Sequence, residues 1–220
     1  MSLNILDFRL RVIAELPKTK DLPVERLILD GLQDLCRETE CYTEVSTDTS
    51  VSGTATYIMT PSTSTVQIID FHEGKYNGVR IPKVSNKEMD LRDSKWETRS
   101  GTPSGFLYDG DTSIRFNVTP DTTGKAIQLE AVIEPANIGG VVPPRIERRH
   151  LEAVKAYVKW KVFEHPENFN PDMIGYWRRD YEDKRGRLKR EVMHDGVVME
   201  VTPRSFVTGR VQSPLSITVD

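Results

Sequence analysis

The side chains with the types and spacing to do chemistry come first. Asp109 and Asp111, in the phrase YDGD, are two carboxylates one glycine apart, a spacing that suits acid–base work or a cation. An enzyme built on them would need His72 to converge with them in one cleft. Trp96, Phe106 and Tyr108 form a second group, the aromatics that a carbohydrate-binding or adhesive β module would set on one exposed face. Cys36 and Cys41 are the only cysteines. A third group is YWRRDYEDKRGRLKRE, residues 176–191, which carries Arg178, Arg179, Lys184, Arg185, Arg187, Lys189 and Arg190 beside Tyr176 and Trp177. Such a run would suit a phosphate backbone with bases stacked on the rings.

Each group also has a plainer reading. Asp and Gly are turn residues, and YDGD falls between Phe106-Leu107-Tyr108 and Ser113-Ile114-Arg115, where a hairpin needs a turn. A disulfide between Cys36 and Cys41 would distort the helix that carries Cys36, and two sulfurs alone do not build a zinc site. The expectation is two thiols in a reducing compartment. His72, His150, His165 and His194 show no HExxH motif and no close ligand pair, which makes them surface or helix-end residues. Asp180, Glu182, Asp183 and Glu191 interrupt the basic run, favouring intrahelical pairs and a subunit-facing or solvated helix over nucleic acid. With no glycine-rich phosphate loop and no GxSxG elbow, no catalytic residue, cofactor or metal is expected.

The elements that must position these residues follow from period. The chain has 220 residues, 37% of them apolar, with 30 basic and 33 acidic side chains and a net charge of −3. A packed core is therefore expected, and a general nucleic-acid coat is not. No apolar run reaches the roughly 20 residues that span a bilayer, and MSLNILDFRLRVI lacks a signal-peptide pattern. The chain is expected to be soluble and intracellular when made. Leu3, Leu6, Leu10 and Ile13 predict a short helix over 3–14. Leu22, Val24, Leu27, Leu32 and Leu35 predict a helix over 22–38, with Pro23 in its first turn, Gly31 weakening it, and Glu25, Asp30 and Asp34 facing away.

After Cys41 the period changes to that of strands. Ile114, Phe116 and Val118 alternate, as do Ile127, Leu129, Ala131 and Ile133, with PDTTG read as a hairpin-type turn between them. Beyond PANIGGVVPP, Ile146, Leu151, Val154, Val158 and Val162 make a helical stripe broadened by Tyr157 and ended by Pro166. A second, charged helix runs from about Pro171 to Val192. The tail is extended and threonine-rich, with enough Val, Ile and Phe to want burial.

The fold class expected is α+β: a helical bundle of the N-terminal helix and two long C-terminal helices, with an inserted antiparallel β module and an extended arm. The parts are 1–45 (helical), 50–135 (β), 145–193 (helical) and 197–220 (arm). Leu151, Val154 and Val158 belong to the subunit's own core. Trp160, Trp177, Arg178, Tyr181 and Arg185 are the candidates for contact between subunits, because large aromatics and arginines anchor interfaces.

This order of parts resembles the head-to-tail connector (portal–tail adaptor) proteins of tailed bacteriophages, over roughly residues 20–193. The matching phrases are LPVERLILDGLQDLCRET, FHEGKYNGVRIPKVS, GTPSGFLYDGDTSIRFNVTPDTTGKAIQLEAVIEP, IERRHLEAVKAYVKWKVF and YWRRDYEDKRGRL. The resemblance implies a structural virion protein in the neck between capsid portal and tail, assembled in the host cytoplasm as a homo-oligomeric ring, commonly of twelve. Its implied partners are the portal, a downstream tail or nozzle protein, and tail fibres. Genomic DNA passes through the lumen without specific binding, and no membrane is involved. The implied portal-binding arm carries Val201, Phe206, Val207, Val211, Leu215 and Ile217 in residues 197–220. Competing readings are another tail or neck completion ring, the adhesive β module, and the Asp109–Asp111–His72 enzyme.

Overall fold

A computed structural model describes residues 3–16, 23–110, 112–136, 141–142 and 148–196. The chain opens with β1 (Leu3–Asn4), α1 (Ile5–Ile13) and α2 (Val24–Thr39), followed by β2 (Thr43–Thr49), β3 (Thr56–Ile58), β4 (Val66–Tyr76) and β5 (Val79–Pro82). After α3 (Asn86–Arg92) come β6 (Ser100–Gly101), β7 (Phe106–Gly110), β8 (Ser113–Phe116), β9 (Thr119–Pro120) and β10 (Ala126–Pro135). β11 (Val141–Val142), α4 (Arg148–Glu164) and α5 (Pro171–Gly196) complete the described chain. The class is α+β, as expected.

Val24, Ile28, Leu32 and Leu35 repeat every three or four residues and bury one face of α2, while Leu29 and Cys36 widen it. Val12 from α1, Leu151, Ala153, Val154, Ala156, Val158 and Val162 from α4, and Tyr181 and Leu188 from α5 complete the same core. The helix at 22–38 was thus expected within two residues of its limits, and Leu151, Val154 and Val158 are core as expected. Gly31 does more than weaken its helix. A Cβ there would stand 2.8 Å from Cδ1 of Tyr157, so the missing side chain lets α4 lie close to α2. Asp34 does not face away. It accepts a hydrogen bond from the Tyr181 hydroxyl, which gives it a partner inside the fold.

α2 ends at Glu40, whose left-handed backbone (φ 53°) turns the chain and lets its N–H donate to the Cys36 carbonyl at 2.8 Å. Cys41 therefore lies past the helix rather than on it, and both cysteines are free thiols.

One antiparallel sheet has the strand order β2-β10-β4-β5, and a second has β3-β8-β7. Tyr57, Ile114, Phe106 and Phe116 from the second meet Phe71, Tyr76, Ile127 and Leu129 from the first in a shared core. Tyr57 and Phe116 stand 5.3 Å apart and Tyr76 and Phe116 5.6 Å apart, both as tilted or edge contacts.

Two sequence expectations change here. PDTTG is not a hairpin turn, because β8 and β10 lie in different sheets. Instead the turn is pinned to Ser50, which donates its N–H to the Lys125 carbonyl and accepts the Gly124 N–H on its own carbonyl, each at 2.8 Å. Alternation revealed which side chains of each strand seek a core, but not which strand lies beside it. The sheet also begins earlier than 50: β2 pairs with β10 from Thr43↔Val132 to Thr49↔Ala126. TEVSTDT hides this strand, because Val45 is 65% exposed and the residue it buries is Ser46.

The helices and the sheets meet where α2 passes β10. Arg37 donates to both carboxylate oxygens of Glu134, from Nε at 2.7 Å and from its terminal nitrogen at 2.6 Å, and Gln67 Nε2 donates to the same group at 2.6 Å. Gln33 Nε2 donates to the Pro135 carbonyl at 2.9 Å. Glu134 has no exposed surface, so its charge is held wholly by these donors.

Candidate interaction surface

α4 and α5 pack along their lengths, and their aromatic side chains collect on one side of the seam. Trp160 is partly buried. Its indole N–H donates to Glu164 Oε1 at 2.6 Å, and its ring lies 4.0 Å from Lys161 Nζ and 5.5 Å from the Arg178 guanidinium. Trp177 is also partly buried, with Lys159 Nζ 4.3 Å from its ring. Its buried indole nitrogen has no hydrogen-bond partner. Lys159 and Lys155 reach Glu15 at 2.6 and 3.3 Å, and these contacts, that with Lys159 foremost, hold the Glu15 carboxyl below its ordinary value.

Tyr181 is 1% exposed and packs edge-on to Tyr157 at 5.2 Å. Burial, with Asp34 accepting from its hydroxyl, pushes the phenol's pKa upward. Its ring is already covered within its own chain, so it has almost no surface to give a neighbour. Arg185 lies 3.5 Å from Asp34 and over the Tyr181 ring. Arg178 is exposed and pairs with Glu182 at 3.0 Å, and Lys184 pairs with Asp180 at 2.6 Å, both one turn apart. Two of the acids within the basic run, Asp180 and Glu182, thus make the intrahelical pairs expected of them.

Sequence reasoning missed the more exposed apolar stripe. Phe169, Met173 and Tyr176 are 64%, 37% and 60% exposed, at and just before the start of α5. Met173 and Tyr176 lie roughly 90° around the helix from Trp177, Tyr181 and Leu188, which face the core. The signal was in the sequence as a second apolar phase, masked by the first. Asp172, Arg179, Asp180 and Asp183 line an open groove with Tyr176. A second exposed apolar pair, Leu10 (72%) and Ile13 (40%), lies on α1 beside exposed Arg11. α1 and α5 both pack on α2 and α4.

The remaining candidates fall elsewhere. Trp96 and Phe106 are 3% and 0% exposed, and half-buried Tyr108 packs against Phe71 at 5.4 Å. The aromatic platform of an adhesive module is therefore absent here: these rings stabilise the sheets, with Trp96 donating to Asp90 at 3.0 Å. The chain turns where YDGD suggested, with Gly110 (φ 87°) opposite Ser113 and Thr112 also in the left-handed region. Asp111 lies outside the described residues. His72 lies 3.4 Å from Glu40 at the end of α2. The proposed arm, Val201 to Ile217, lies outside the described residues as well. Among the described residues, no helix is long and apolar enough to cross a membrane.

A helical part and a two-sheet part, clasped through Arg37 and Glu134, match the order of parts that suggested a phage connector. A family model for the SU10 adaptor protein matches residues 3–204.

The chain belongs to the SU10 adaptor family.

As the resemblance implied, this is a family of structural phage adaptors, and the match runs from the first described strand past the end of α5. No curated protein matches the chain significantly. For an adaptor, the pertinent surfaces are those that meet other head and tail proteins. The exposed flanks of α1 and α5 are the strongest candidates that its helices offer.

Proposed function

We propose that this adaptor works as a ring beneath the portal, extending the DNA channel and presenting a platform for tail proteins. The observation that carries the reading is the family match along nearly the whole chain, residues 3–204. In this reading the helices of 1–40 and 145–193 form one bundle, the inserted β module runs from 43 to 135, and 197–220 is an arm that latches onto the portal. The protein sits in the virion neck after assembly in the host cytoplasm, with the genome passing through its lumen without specific binding.

Subunits meet side by side through helix flanks. Phe169, Met173 and Tyr176, beside the carboxylates of Asp172 and Asp183, suit the Leu10, Ile13 and Arg11 flank of the next copy. Apolar surface meets apolar surface, and acid meets base. Two different patches joined head to tail generate a ring when the rotation closes. Trp177 borders this contact, while Trp160, Arg178 and Arg185 lie across the core-facing stripe of α5 and are candidates for a second one, which Tyr181 serves from within by bonding Asp34 beside Arg185.

The test is mass determination of the full chain and of a chain lacking 197–220, alone and mixed with the cognate portal. A stoichiometric ring on the portal, lost on truncation, is expected. Self-assembly without portal binding would point to another neck or tail completion ring. Failure of both chains to assemble or to bind would overturn the proposal.

A further inference from the structure

The side of α5 that points away from the core repeats itself. Asp172, Gly175 and Arg179 are followed, in the same order and spacing, by Asp183, Gly186 and Arg190. The offset of eleven residues makes about three helical turns, so both sets fall on one line along the helix. That line lies opposite Tyr181 and Leu188, which face the core. Asp172, Arg179, Asp183 and Arg190 are all exposed.

The charges on this line are treated differently from their neighbours. Arg178 pairs with Glu182, Lys184 pairs with Asp180, and Arg185 reaches Asp34. Among the described residues, Asp172, Arg179, Asp183 and Arg190 make no ion pair, although Arg179 and Asp183 stand one turn apart, at the spacing that allows one. The two arginines fold back over the glycines instead. A terminal nitrogen of Arg179 lies 3.9 Å from where a Cβ on Gly175 would stand, and one of Arg190 lies 3.9 Å from the same point on Gly186. A glycine inside a helix costs roughly 1 kcal/mol against alanine. Gly31 has a reason within its own chain, the approach of Tyr157, whereas Gly175 and Gly186 meet only these mobile arginine ends.

From its N-terminal end the line runs acid, base, acid, base, and in reverse it runs base, acid, base, acid. An antiparallel copy of the same helix therefore sets every charge against its opposite, whereas a parallel copy in register sets like against like. We propose that α5 pairs antiparallel with α5 of a second copy of this chain, about a two-fold axis, before any ring exists. Asp172 meets Arg190 of the second copy, Arg179 meets its Asp183, and Gly175 meets its Gly186. These pairings share one centre, at the level of Asp180 and Tyr181, as a two-fold axis requires. The glycines let the two backbones approach, and the arginines swing from them to the facing carboxylates. Tyr176, exposed in the groove it shares with Asp172, Arg179 and Asp183, is covered by the same contact. One helix pair is a small interface and exposed ion pairs are each worth little, so this dimer is weak and opens readily. The pairing itself stands on α5 alone. Its consequence rests on the ring reading, in which Asp172, Asp183 and Tyr176 meet the next subunit: the dimer occupies that flank and must part before a ring closes.

Two double variants with the same net charge as wild type test the pairing. Asp172→Arg with Arg190→Asp exchanges the ends of the line and keeps every antiparallel pair opposite in sign. Asp172→Arg with Arg179→Asp sets base against base and acid against acid. Both carry Asp172→Arg, so the cost of losing that acid from the first turn cancels between them. The full chain, without portal, is followed by sedimentation velocity over a concentration series. Wild type and the first variant are expected to show a species of two chains at low salt, weakened as salt rises from about 0.05 to about 0.5 M. The second variant is expected to sediment as one chain with its fold intact by circular dichroism, since the substituted residues are exposed. A wild type that stays a single chain at every concentration, a first variant that loses the dimer, or a folded second variant that keeps it would each overturn the proposal. Ring formation on the portal is read separately by mass: a dimer without a ring leaves the pairing standing and removes the ring reading, and a ring without a dimer does the reverse.

Discussion

Replacing Arg37 with Met separates a structural ion pair from an incidental one. Glu134 has no exposed surface, and its carboxylate is held by two Arg37 hydrogen bonds of 2.7 and 2.6 Å and one from Gln67 at 2.6 Å. Removing one partner of a buried pair costs about 3–5 kcal/mol, because the remaining charge is stranded. Two features lower that figure here. Gln67 stays in place, and the Arg37 side chain is 56% exposed, so water can enter where it leaves. A loss of about 2–3 kcal/mol is expected for Arg37→Met, or a fall of roughly 5–10 °C in Tm for a chain of this size. Arg37→Met combined with Glu134→Leu removes the stranded charge and is expected to regain about half of the loss. Urea unfolding followed by circular dichroism, run as a double-mutant cycle, measures this. A cost below about 1 kcal/mol for Arg37→Met, with coupling below about 0.5 kcal/mol, would refute the claim that this pair clasps α2 to β10.

Other predictions follow from packing and charge. Gly31→Ala is expected to destabilise by about 1–2 kcal/mol despite alanine's better helix propensity, because its Cβ meets Tyr157; Tyr157→Leu should relieve it, as thermal melts would show. The raised pKa of Tyr181 contributes stability that is present below about pH 10, where an unfolded tyrosine titrates, and is lost as pH rises toward the folded value; Tyr181→Phe should flatten alkaline unfolding above that pH. Glu15 has a lowered pKa, so its contribution is present above 4.5 and fades as pH falls through the folded value. Glu15→Gln should therefore cost less than about 1 kcal/mol at pH 7 in low salt, and that cost should shrink as pH falls below 4.5. Met173→Asp with Tyr176→Asp should abolish self-association in sedimentation while leaving the melting curve within about 2 °C of wild type, since both side chains are substantially exposed.

Periodicity alone located the two helical stretches and the strand region between them. A helix that buries one face must repeat its apolar residues every three to four positions, as Val24, Leu32 and Leu35 do, and as Leu151, Val154, Val158 and Val162 do. YDGD likewise announced its turn, because the backbone there needs Gly110 with positive φ. The order of these parts also carried the family resemblance. Partnership was not legible. β8 and β10 each show clean alternation, yet which sheet each joins depends on the layer that covers it, and no local pattern encodes that. β2 escaped notice because its pairing with β10 rests on backbone hydrogen bonds, with Ser46 rather than an apolar residue turned inward. Charge and aromatic content alone could not sort Trp160, Trp177 and Tyr181 by exposure. Only the packing of α4 on α5 decided that Tyr181 is sealed inside while Met173 and Tyr176, a quarter turn away, remain open to a partner. The same dependence on neighbours governs Gly31 and Glu134. Each draws its role from a residue distant in sequence, which contact in three dimensions alone supplies.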